Sequence, residues 1–363
     1  MKVAGVISGT SLDAIDVAIL EFEHDFKVIG RHSVPYPPGV RDAILAISNT
    51  ETHTASIARL NFVLGELFAD AVIQTCHKIG IPLAALNLIG SHGQTIFHEG
   101  EPVDMFGYSI ASTMQIGEPA VIAKRTGVPA IADFRPDDMA AGGKGAPLVP
   151  AVDFRLFRHP EKSRIALNIG GIANMTFLPA NARIEDVVAF DIGPGNMVID
   201  ALMGEARMDR DGAAARGGQV EAALLEKLLS DPFYDKAPPK TAGREQYGIG
   251  FVSHFSALNR NDAAATATEL TVQTIAHAVA RYPEAVEVIV SGGGAHNGFM
   301  MERLRSVVTP DVKTSADYGI DIDAKEAIAF AILAYESFHG RPGNVPGATG
   351  ARRQVILGKS VMP

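Results

Sequence analysis

The polar run SGTSLDA, residues 8–14, separates two apolar stretches close to the start of the chain. The flanking segments VAGVI and IDVAIL are rich in Val and Ile and are predicted to be the strands of a hairpin. A structural hairpin needs only a two-residue turn, yet this connection supplies hydroxyls, backbone N–H groups and the carboxylate of Asp13. Such groups bind phosphates and metal ions. An ordinary turn is the alternative interpretation, because Gly, Ser and Asp also dominate turns.

A second candidate is Asp191, in the stretch FDIGPGN. It ends the predicted strand VVAF and precedes a Gly-Pro-Gly turn, so its carboxylate is expected to point into the space that the surrounding loops enclose. A carboxylate in that position could act as a general base toward an alcohol or a water molecule. The alternative is a residue that caps a helix or stabilises a turn.

Two further glycine-rich turns follow predicted strands, at residues 170–171 and 292–294. Together with Gly9 they would let the backbone approach a nucleotide, although any one of them is also explained as a simple turn. A P-loop is excluded because the Gly-Gly-Lys at 142–144 lacks the required upstream spacing. The Rossmann fingerprint is excluded because SGGGAHN has Asn297 where the third glycine belongs.

The sequence motifs of several other enzyme classes are absent from this chain. The histidines show no H-E-x-x-H spacing, and no G-x-S-x-G nucleophile elbow is present. Cys76 is the single cysteine, which excludes an internal disulfide and a cysteine-rich zinc site. Zinc chemistry and serine hydrolase chemistry are therefore disfavoured.

Composition limits the partners and the location of the protein. The chain has 363 residues, enough for two domains, and it has no run of 18 apolar residues that could span a bilayer. Its 41 acidic and 32 basic residues give a net charge of −9 without a basic stripe, which argues against nucleic-acid binding. Acidic residues near the start argue against a signal peptide. A cytoplasmic protein that binds neither membrane nor nucleic acid is expected.

Strands and helices alternate along the chain, which is typical of an α/β fold. The segment TASIARLNFVLGELFADAVIQTCHKIG is predicted to be a helix and ALNLIG a buried strand. Pro and Gly concentrate in RPDDMAAGGKGAPLVP, where regular structure is expected to break, and the boundary of a first lobe is placed just before it, near residue 128. The hairpin RIALNIGGIANMTFL then repeats the pattern of the opening hairpin in the second half.

These motifs, in this order, resemble the anhydro-N-acetylmuramic acid kinases of bacterial cell-wall recycling. The matching segments are SGTSLDAIDVA, GSHGQTIFH, QIGEPA, ADFRPDDMAAGGKGAPLVP, LNIGGIANM, FDIGPGNMVID, DRDG, GGGAHN, EAIAFA and PGNVPGATGA. The resemblance implies the two-lobe actin, hexokinase and heat-shock-ATPase fold, which is ribonuclease H-like. It places the first phosphate hairpin in a lobe of residues 1–128 and about 345–363. The second hairpin, the catalytic aspartate and the nucleoside loop GGGAHN fall in residues 129–344.

By the same resemblance the enzyme opens the 1,6-anhydro ring of its sugar and phosphorylates O6, using ATP and Mg²⁺, as a homodimer. Asp191 matches the catalytic aspartate that activates water. The positions matching nucleotide-binding residues are Gly9, Thr10, Ser11, Asp13, Asp16, Gly170, Gly171, Asn174, Gly292, Gly293, Gly294 and Asn297. The positions matching sugar-binding residues are His92, Thr95, Arg135, Gly142, Gly143, Gly195 and Asn196. Asp13 and Glu326 match carboxylates near the metal, although Glu326 is equally explained as an acid in the first turn of a helix.

The chain departs from the family pattern close to the expected sugar site. It has DFRPDD where DFRRRD is common, Lys144 where Gln is usual and Ala14 in place of a glycine. Arg135 is expected to bind the lactyl carboxylate in a bidentate manner, unless it only caps a strand end. Another anhydrosugar such as levoglucosan, or a role as a non-catalytic ATP-dependent switch, remain the alternatives.

Overall fold

The computed structural model describes residues 1–9, 12, 14–206 and 208–363. The strands are β1 (Lys2–Ser8), β2 (Ala14–Phe22), β3 (Phe26–Pro35), β4 (Leu88–Ser91), β5 (Gln94–Met105), β6 (Tyr108–Ile116), β7 (Ala130–Ala132), β8 (Ser163–Ile169), β9 (Ile172–Leu178), β10 (Val188–Pro194), β11 (Ala285–Ser291), β12 (Asp311–Thr314) and β13 (Lys359–Val361). The helices are α1 (Val40–Leu45), α2 (Thr54–Ile79), α3 (Pro119–Thr126), α4 (Phe134–Ala140), α5 (Val149–Phe157), α6 (Asn196–Met203), α7 (Ala213–Arg216), α8 (Ala222–Leu229), α9 (Arg244–Tyr247), α10 (Ile249–Val252), α11 (Arg260–Ala280), α12 (Gly298–Val307), α13 (Lys325–Phe338) and α14 (Pro346–Thr349). Within the described part of the chain, no helix combines the length and the apolar character needed to cross a membrane.

The chain divides into two compact units with sheets of the same design. Unit 1 comprises Met1–Val152 and Ala324–Pro363, and unit 2 comprises Asp153–Asp323. The sheet of unit 1 has the order β13-β7-β4-β1-β2-β3, and that of unit 2 the order β10-β9-β8-β11-β12. In each, a central strand begins an antiparallel meander of three strands and has two parallel strands on its other side. The predicted α/β fold, with a like hairpin opening each half, is confirmed.

Helix α13 lies directly on the sheet of unit 1, although it is far from that sheet in the sequence. A side chain at Gly5 of β1 would come within 1.9 Å of the Ala327 carbonyl oxygen, and one at Gly90 of β4 within 2.2 Å of the Phe330 carbonyl oxygen. Both strands therefore need glycine where the helix backbone approaches them. The close packing fixes the first turn of α13, which carries Glu326, against the sheet of unit 1.

The boundaries of the two units differ from those predicted from the sequence. The predicted boundaries lie near residues 128 and 345, whereas unit 1 extends to Val152 and resumes at Ala324. The cause is long-range pairing, since β7 joins β4 and α13 packs on β1 and β4. The segment expected to lack regular structure also forms the short helix α4. Pro136 is tolerated there because it lies in the first turn, where the N–H that it lacks would have no helical partner.

Candidate active site

Asp191 belongs to a row of polar side chains that crosses the sheet of unit 2. It pairs with Asn174 of β9, which pairs with Asn168 of β8, which in turn pairs with Ser291 of β11. Residues paired in this way point to the same face of a sheet. Asp191 and Asn174 were predicted to belong to the site, whereas Asn168 and Ser291 were not.

Backbone groups from a distant loop hold Asp191. Its side-chain Oδ2 accepts a hydrogen bond from the Ala242 N–H at 2.9 Å, and its own N–H donates to the Lys240 carbonyl oxygen at 3.0 Å. Burial raises the pKa of Asp191 to about 6, although the Ala242 N–H and the charge of Lys240 oppose the shift. The carboxyl group is therefore mostly ionised at neutral pH and still basic enough to accept a proton, as a general base must be.

Lys240 is a buried cation next to this carboxylate and was not anticipated from the sequence. Its side chain is only 6% exposed. Its ammonium donates to the carbonyl oxygens of Phe233 and Tyr234, both at 2.9 Å, and lies 4.6 Å from the centre of the Phe233 ring. Burial lowers the pKa of Lys240 to about 8. The lysine thus anchors the loop that holds Asp191 and adds a positive charge beside it.

Replacement of Lys240 by Met should change the pH dependence of catalysis. Loss of the positive charge raises the pKa of Asp191, so the acidic limb of kcat/KM should move to higher pH by about half a unit. Lys240→Arg keeps the charge and should leave the limb near its original position. Lys227→Met removes an exposed lysine of the same unit as a control. A pH profile of Lys240→Met that coincides with the wild-type profile would contradict this role.

The glycine pair at 170–171 forms the turn of the β8–β9 hairpin and is hydrogen-bonded to the start of α6. The N–H groups of Gly195 and Asn196 donate to the carbonyl oxygens of Gly171 and Gly170, at 2.9 and 2.8 Å. A side chain at Gly195 would lie 2.3 Å from the Gly170 carbonyl oxygen, so only glycine allows this contact. Gly195 and Asn196, expected to bind the sugar, thus contact the expected phosphate hairpin directly.

The second glycine run packs on the same hairpin. Gly292 has φ +82°, and a side chain there would lie 2.6 Å from Asn168 Oδ1. A side chain at Gly294 would likewise lie 2.3 Å from the Ile169 side chain. Gly293, between these two residues, is exposed. The two glycine turns of unit 2 and the polar row are therefore one continuous structure, which exposes backbone where a nucleotide could approach.

Asn297 has a structural role that the sequence did not reveal. It is the N-cap of α12, where its Oδ1 accepts from the Met300 N–H at 3.0 Å. The neighbouring Asp211, from the DRDG motif, accepts from the Gly298 N–H at 2.9 Å. Two capping side chains thus fix the start of α12 directly after the glycine run. Contact with a nucleotide remains a prediction for Asn297.

The opening hairpin of unit 1 is described in part. Thr10, Ser11 and Asp13 lie outside the described residues, so their predicted roles rest on the sequence. The Gly9 carbonyl oxygen accepts from the Leu12 N–H at 3.3 Å, and Leu12 has φ +58°, which is strained for a leucine. Such strain is often found in ligand-binding loops.

Asp16 and Glu326 are the described carboxylates near the expected metal site. Asp16 lies on β2, paired with Ile7 and Ser33. Glu326 lies in the first turn of α13, where the surrounding protein and then the negative charge of Asp16 raise the pKa of its carboxyl group. Its side chain still reaches solvent. Among the described residues no group of three or more His, Cys, Asp or Glu side chains could hold a metal ion.

Arg135 and His92 of unit 1 are hydrogen-bonded to each other. Arg135 Nε donates to His92 Nε2 at 3.1 Å, and His92 Nδ1 donates to the Gly93 carbonyl oxygen at 3.0 Å. This pattern requires a neutral imidazole, and burial followed by the charge of Arg135 lowers the pKa of His92 well below its usual value. A second bond runs from Arg135 Nη1 to the Gly145 carbonyl oxygen at 2.8 Å. Within the described residues Arg135 Nη2 has no hydrogen-bond partner, so it is available to a ligand.

The Gly142-Gly143 turn is shaped by the buried side chain of Asp138. Its Oδ1 accepts from Asn344 Nδ2 at 2.7 Å and from Thr349 Oγ1 at 2.8 Å, and its Oδ2 accepts from the Gly145 N–H at 2.9 Å. Asp138 thus joins the turn to the distant PGNVPGATGA segment. Thr95, also predicted to bind the sugar, lies on β5, where its Oγ1 accepts a hydrogen bond from Gln115 Nε2 at 3.2 Å.

Replacement of Asp138 by Asn should destabilise unit 1. One oxygen that accepts from these donors becomes an amide nitrogen, so at least one buried donor loses its partner, which costs about 2 kcal/mol. The midpoint of urea unfolding should fall accordingly. Asp104→Asn, on the exposed part of β5, should change the free energy of unfolding by less than about 0.5 kcal/mol. Equal midpoints for the two variants would show that Asp138 does not organise this turn.

Comparisons with known proteins agree over the full length of the chain. A family model described as anhydro-N-acetylmuramic acid kinase matches residues 1–363. The protein of that name from Caldanaerobacter subterraneus subsp. tengcongensis is 42% identical over 380 residues, covering 98% of this chain and 96% of the relative. The one from Bacillus cereus is 43% identical over 383 residues, covering 100% of both. A solved activator of the 2-hydroxyisocaproyl-CoA dehydratase from Clostridium difficile is 15% identical, with a TM-score of 0.47 and coverage of 93% and 95%, a likeness too distant to indicate function.

Proposed function

The chain belongs to the anhydro-N-acetylmuramic acid kinase family, and we propose that it phosphorylates its sugar with Asp191 as the general base. Family membership identifies the activity as that of a kinase acting on anhydro-N-acetylmuramic acid, an activity that fits peptidoglycan recycling. The assignment of Asp191 as the base rests on the environment of its carboxyl group. It is held by the Ala242 N–H and stays ionised at neutral pH, beside two glycine turns.

The proposed reaction couples two bond changes. Asp191 takes a proton from water, whose oxygen attacks the anomeric carbon of the sugar. The bond from that carbon to O6 breaks, and its electron pair leaves O6 as the nucleophile. O6 then attacks the γ-phosphorus of ATP and ADP departs, giving N-acetylmuramic acid 6-phosphate. One base therefore serves both ring opening and phosphoryl transfer.

We propose that backbone groups hold the phosphates of ATP. In unit 2 the exposed Gly171 and Gly293 belong to turns whose shape is fixed by the contacts of Gly195 and Gly292. In unit 1 the corresponding turn contains Gly9, Thr10 and Ser11. Preorganised N–H and hydroxyl donors stabilise the charge that develops on a transferring phosphoryl group.

A divalent cation is the one further group that this chemistry requires. Asp13 and Glu326 are the side chains that we assign to Mg²⁺, which often binds through one or two carboxylates, with waters and substrate phosphates completing its shell. The acidic environment that Glu326 shares with Asp16 suits a cation. Bound there, Mg²⁺ would neutralise phosphate charge. We further propose that the enzyme acts in the cytoplasm, as its composition indicates, and as a homodimer, as the family resemblance implies.

Arg135 is the residue that we assign to the lactyl carboxylate of the sugar. Its guanidinium is already oriented by His92 and Gly145 and has Nη2 available. Burial lowers the pKa of Arg135 to about 10, so it is still charged at neutral pH. Lys144 could partly compensate for the basic residues missing from DFRPDD, and it forms an ion pair with Glu101.

A substrate comparison tests the proposed function. The purified chain, with ATP and Mg²⁺, should convert anhydro-N-acetylmuramic acid to a phosphosugar with one ADP formed per sugar. Levoglucosan, which lacks the lactyl and acetamido groups, should be a much poorer substrate. Faster turnover of levoglucosan would reassign the substrate. Formation of ADP without any phosphosugar from either compound would overturn the proposed function.

A further inference from the structure

Strands β5 and β6 form a two-stranded ribbon in unit 1 with apolar side chains on one face. Within the described part of the chain these strands pair only with each other. Because paired residues share a face and side chains alternate along a strand, three apolar pairs lie on the same side of the ribbon. The pairs are Phe97 with Met114, Val103 with Ile110 and Met105 with Tyr108. We call these six residues the ribbon face.

The ribbon face is uncovered along its whole length. Its six side chains belong to residues that are 39–72% exposed, and Phe106 in the turn is 90% exposed. The opposite face of the ribbon is polar, with His98 paired with Thr113 and Asp104 paired with Ser109. An antiparallel sheet with this alternation normally packs its apolar face against another layer of structure. The described residues of this chain do not supply that layer.

The exposed area of the ribbon face is sufficient for a specific interface. With about 200 Å² for a fully exposed large side chain, the six residues present on the order of 600 Å² to solvent. Monomeric proteins rarely expose a larger continuous apolar patch. Two such faces packed together would bury roughly 1,200 Å², the lower end of the range for stable protein–protein interfaces. The area therefore fits a contact between two copies of this face.

The charges of the ribbon disfavour other classes of partner. Residues 97–114 contain Glu99, Glu101 and Asp104 but no Lys or Arg, and β6 contains no charged residue. Anionic membranes and nucleic acids bind surfaces rich in Lys and Arg, so the ribbon does not suit them. Glu101 is paired with Lys144, and Asp104 lies on the polar face. Glu99 is the acid on the same side as the ribbon face, and antiparallel packing of two ribbons would keep two such residues apart.

We propose that the ribbon face binds the same face of a second copy of this chain across a two-fold axis. An apolar, nearly uncharged face is complementary to itself, and a two-fold contact of this kind closes after two copies. The inference rests on the proposed function for the homodimer, whose contact surface it names. It does not depend on the kinase reaction.

The test is sedimentation velocity of the full chain at about 50 μM, where a dimer of micromolar affinity forms. The wild type should sediment as a dimer. Ile110→Lys and Ile110→Glu should each raise the dissociation constant more than about tenfold, because like charges would meet across the axis. An equimolar mixture of the two variants should form dimers again, since opposite charges then face each other. Circular dichroism should show an unchanged fold, because Ile110 is exposed.

Ile356→Lys is the matched control, because Ile356 of the same unit is 47% exposed and lies outside the ribbon. It should remain a dimer. A wild type that dimerises as strongly as both Ile110 variants, or a mixture that restores no dimer, would overturn the inference and leave the homodimer standing.

A monomeric wild type would overturn both the inference and the homodimer. Cosedimentation of that monomer with phosphatidylcholine vesicles would then assign the ribbon face to a lipid surface instead. Turnover of anhydro-N-acetylmuramic acid by the wild type is measured in parallel. Failure of turnover with the effects on sedimentation intact would reject the kinase reaction and keep the assignment of the ribbon face.

Discussion

Asp191→Asn should lower kcat by about a thousandfold while leaving the fold intact. An amide cannot accept the proton of the attacking water, and loss of a general base costs on the order of a hundred- to ten-thousandfold. The side-chain oxygen of Asn can still accept from the Ala242 N–H, so the local structure should persist. The measurement is single-turnover formation of phosphosugar, with thermal unfolding recorded for both proteins.

Asp200→Asn is the matched control for this prediction. Asp200 lies on α6 of the same unit, and burial raises the pKa of its carboxyl group to about 6, as for Asp191. If a raised pKa alone defined the base, both variants would lose activity equally. We expect Asp200→Asn to keep most of its activity. A variant of Asp191 that keeps more than a tenth of the wild-type kcat would mean that another group accepts the proton.

Arg135→Gln should raise the KM for anhydro-N-acetylmuramic acid roughly 10- to 100-fold. A hydrogen-bonded ion pair with the lactyl carboxylate is lost, and bonds to charged groups contribute about 1.5–3 kcal/mol each. Gln can still donate to the Gly145 carbonyl oxygen, which limits damage to the turn. The KM for levoglucosan should stay the same, because that sugar has no carboxylate.

Arg125→Gln is the control for loss of an arginine in unit 1. Arg125 lies on α3 and forms exposed ion pairs with Glu66 and Asp70, which contribute little to stability. The KM values of Arg125→Gln for both sugars should match those of the wild type. If Arg135→Gln raised KM equally for both sugars, Arg135 would be supporting the site through His92 and Gly145 rather than binding the lactyl group.

Elements that depend on neighbouring residues were predicted well from the sequence. Both hairpins, β1–β2 and β8–β9, were identified because Val and Ile alternate with glycine-rich turns over a short span. The C-terminus of α2 at Gly80 was also predictable, since the left-handed conformation there, φ 75°, favours glycine. The extent of the units was not, because β7 and α13 join unit 1 through pairings between distant segments.

The residues of the candidate site could likewise be predicted only in part from the sequence. Asp191 is recognisable because it follows an apolar run and precedes Gly-Pro-Gly, whereas Arg135 was identified only through the family resemblance. Ala242 contributes only a backbone N–H, which no sequence pattern marks. Lys240 is an ordinary lysine until the fold buries it. Such roles depend on register and burial, which a single sequence does not reveal.

In the proposed reaction, water opens the anhydro ring as O6 takes the phosphoryl group. The most direct test is mass spectrometry of the phosphosugar formed from ATP and anhydro-N-acetylmuramic acid in ¹⁸O-labelled water. Unlabelled N-acetylmuramic acid 6-phosphate, kept in the same water for the same time, corrects for exchange at the anomeric carbon. One ¹⁸O is expected in each product molecule above that correction, and no labelled product is expected with Asp191→Asn. A phosphosugar without ¹⁸O would contradict it.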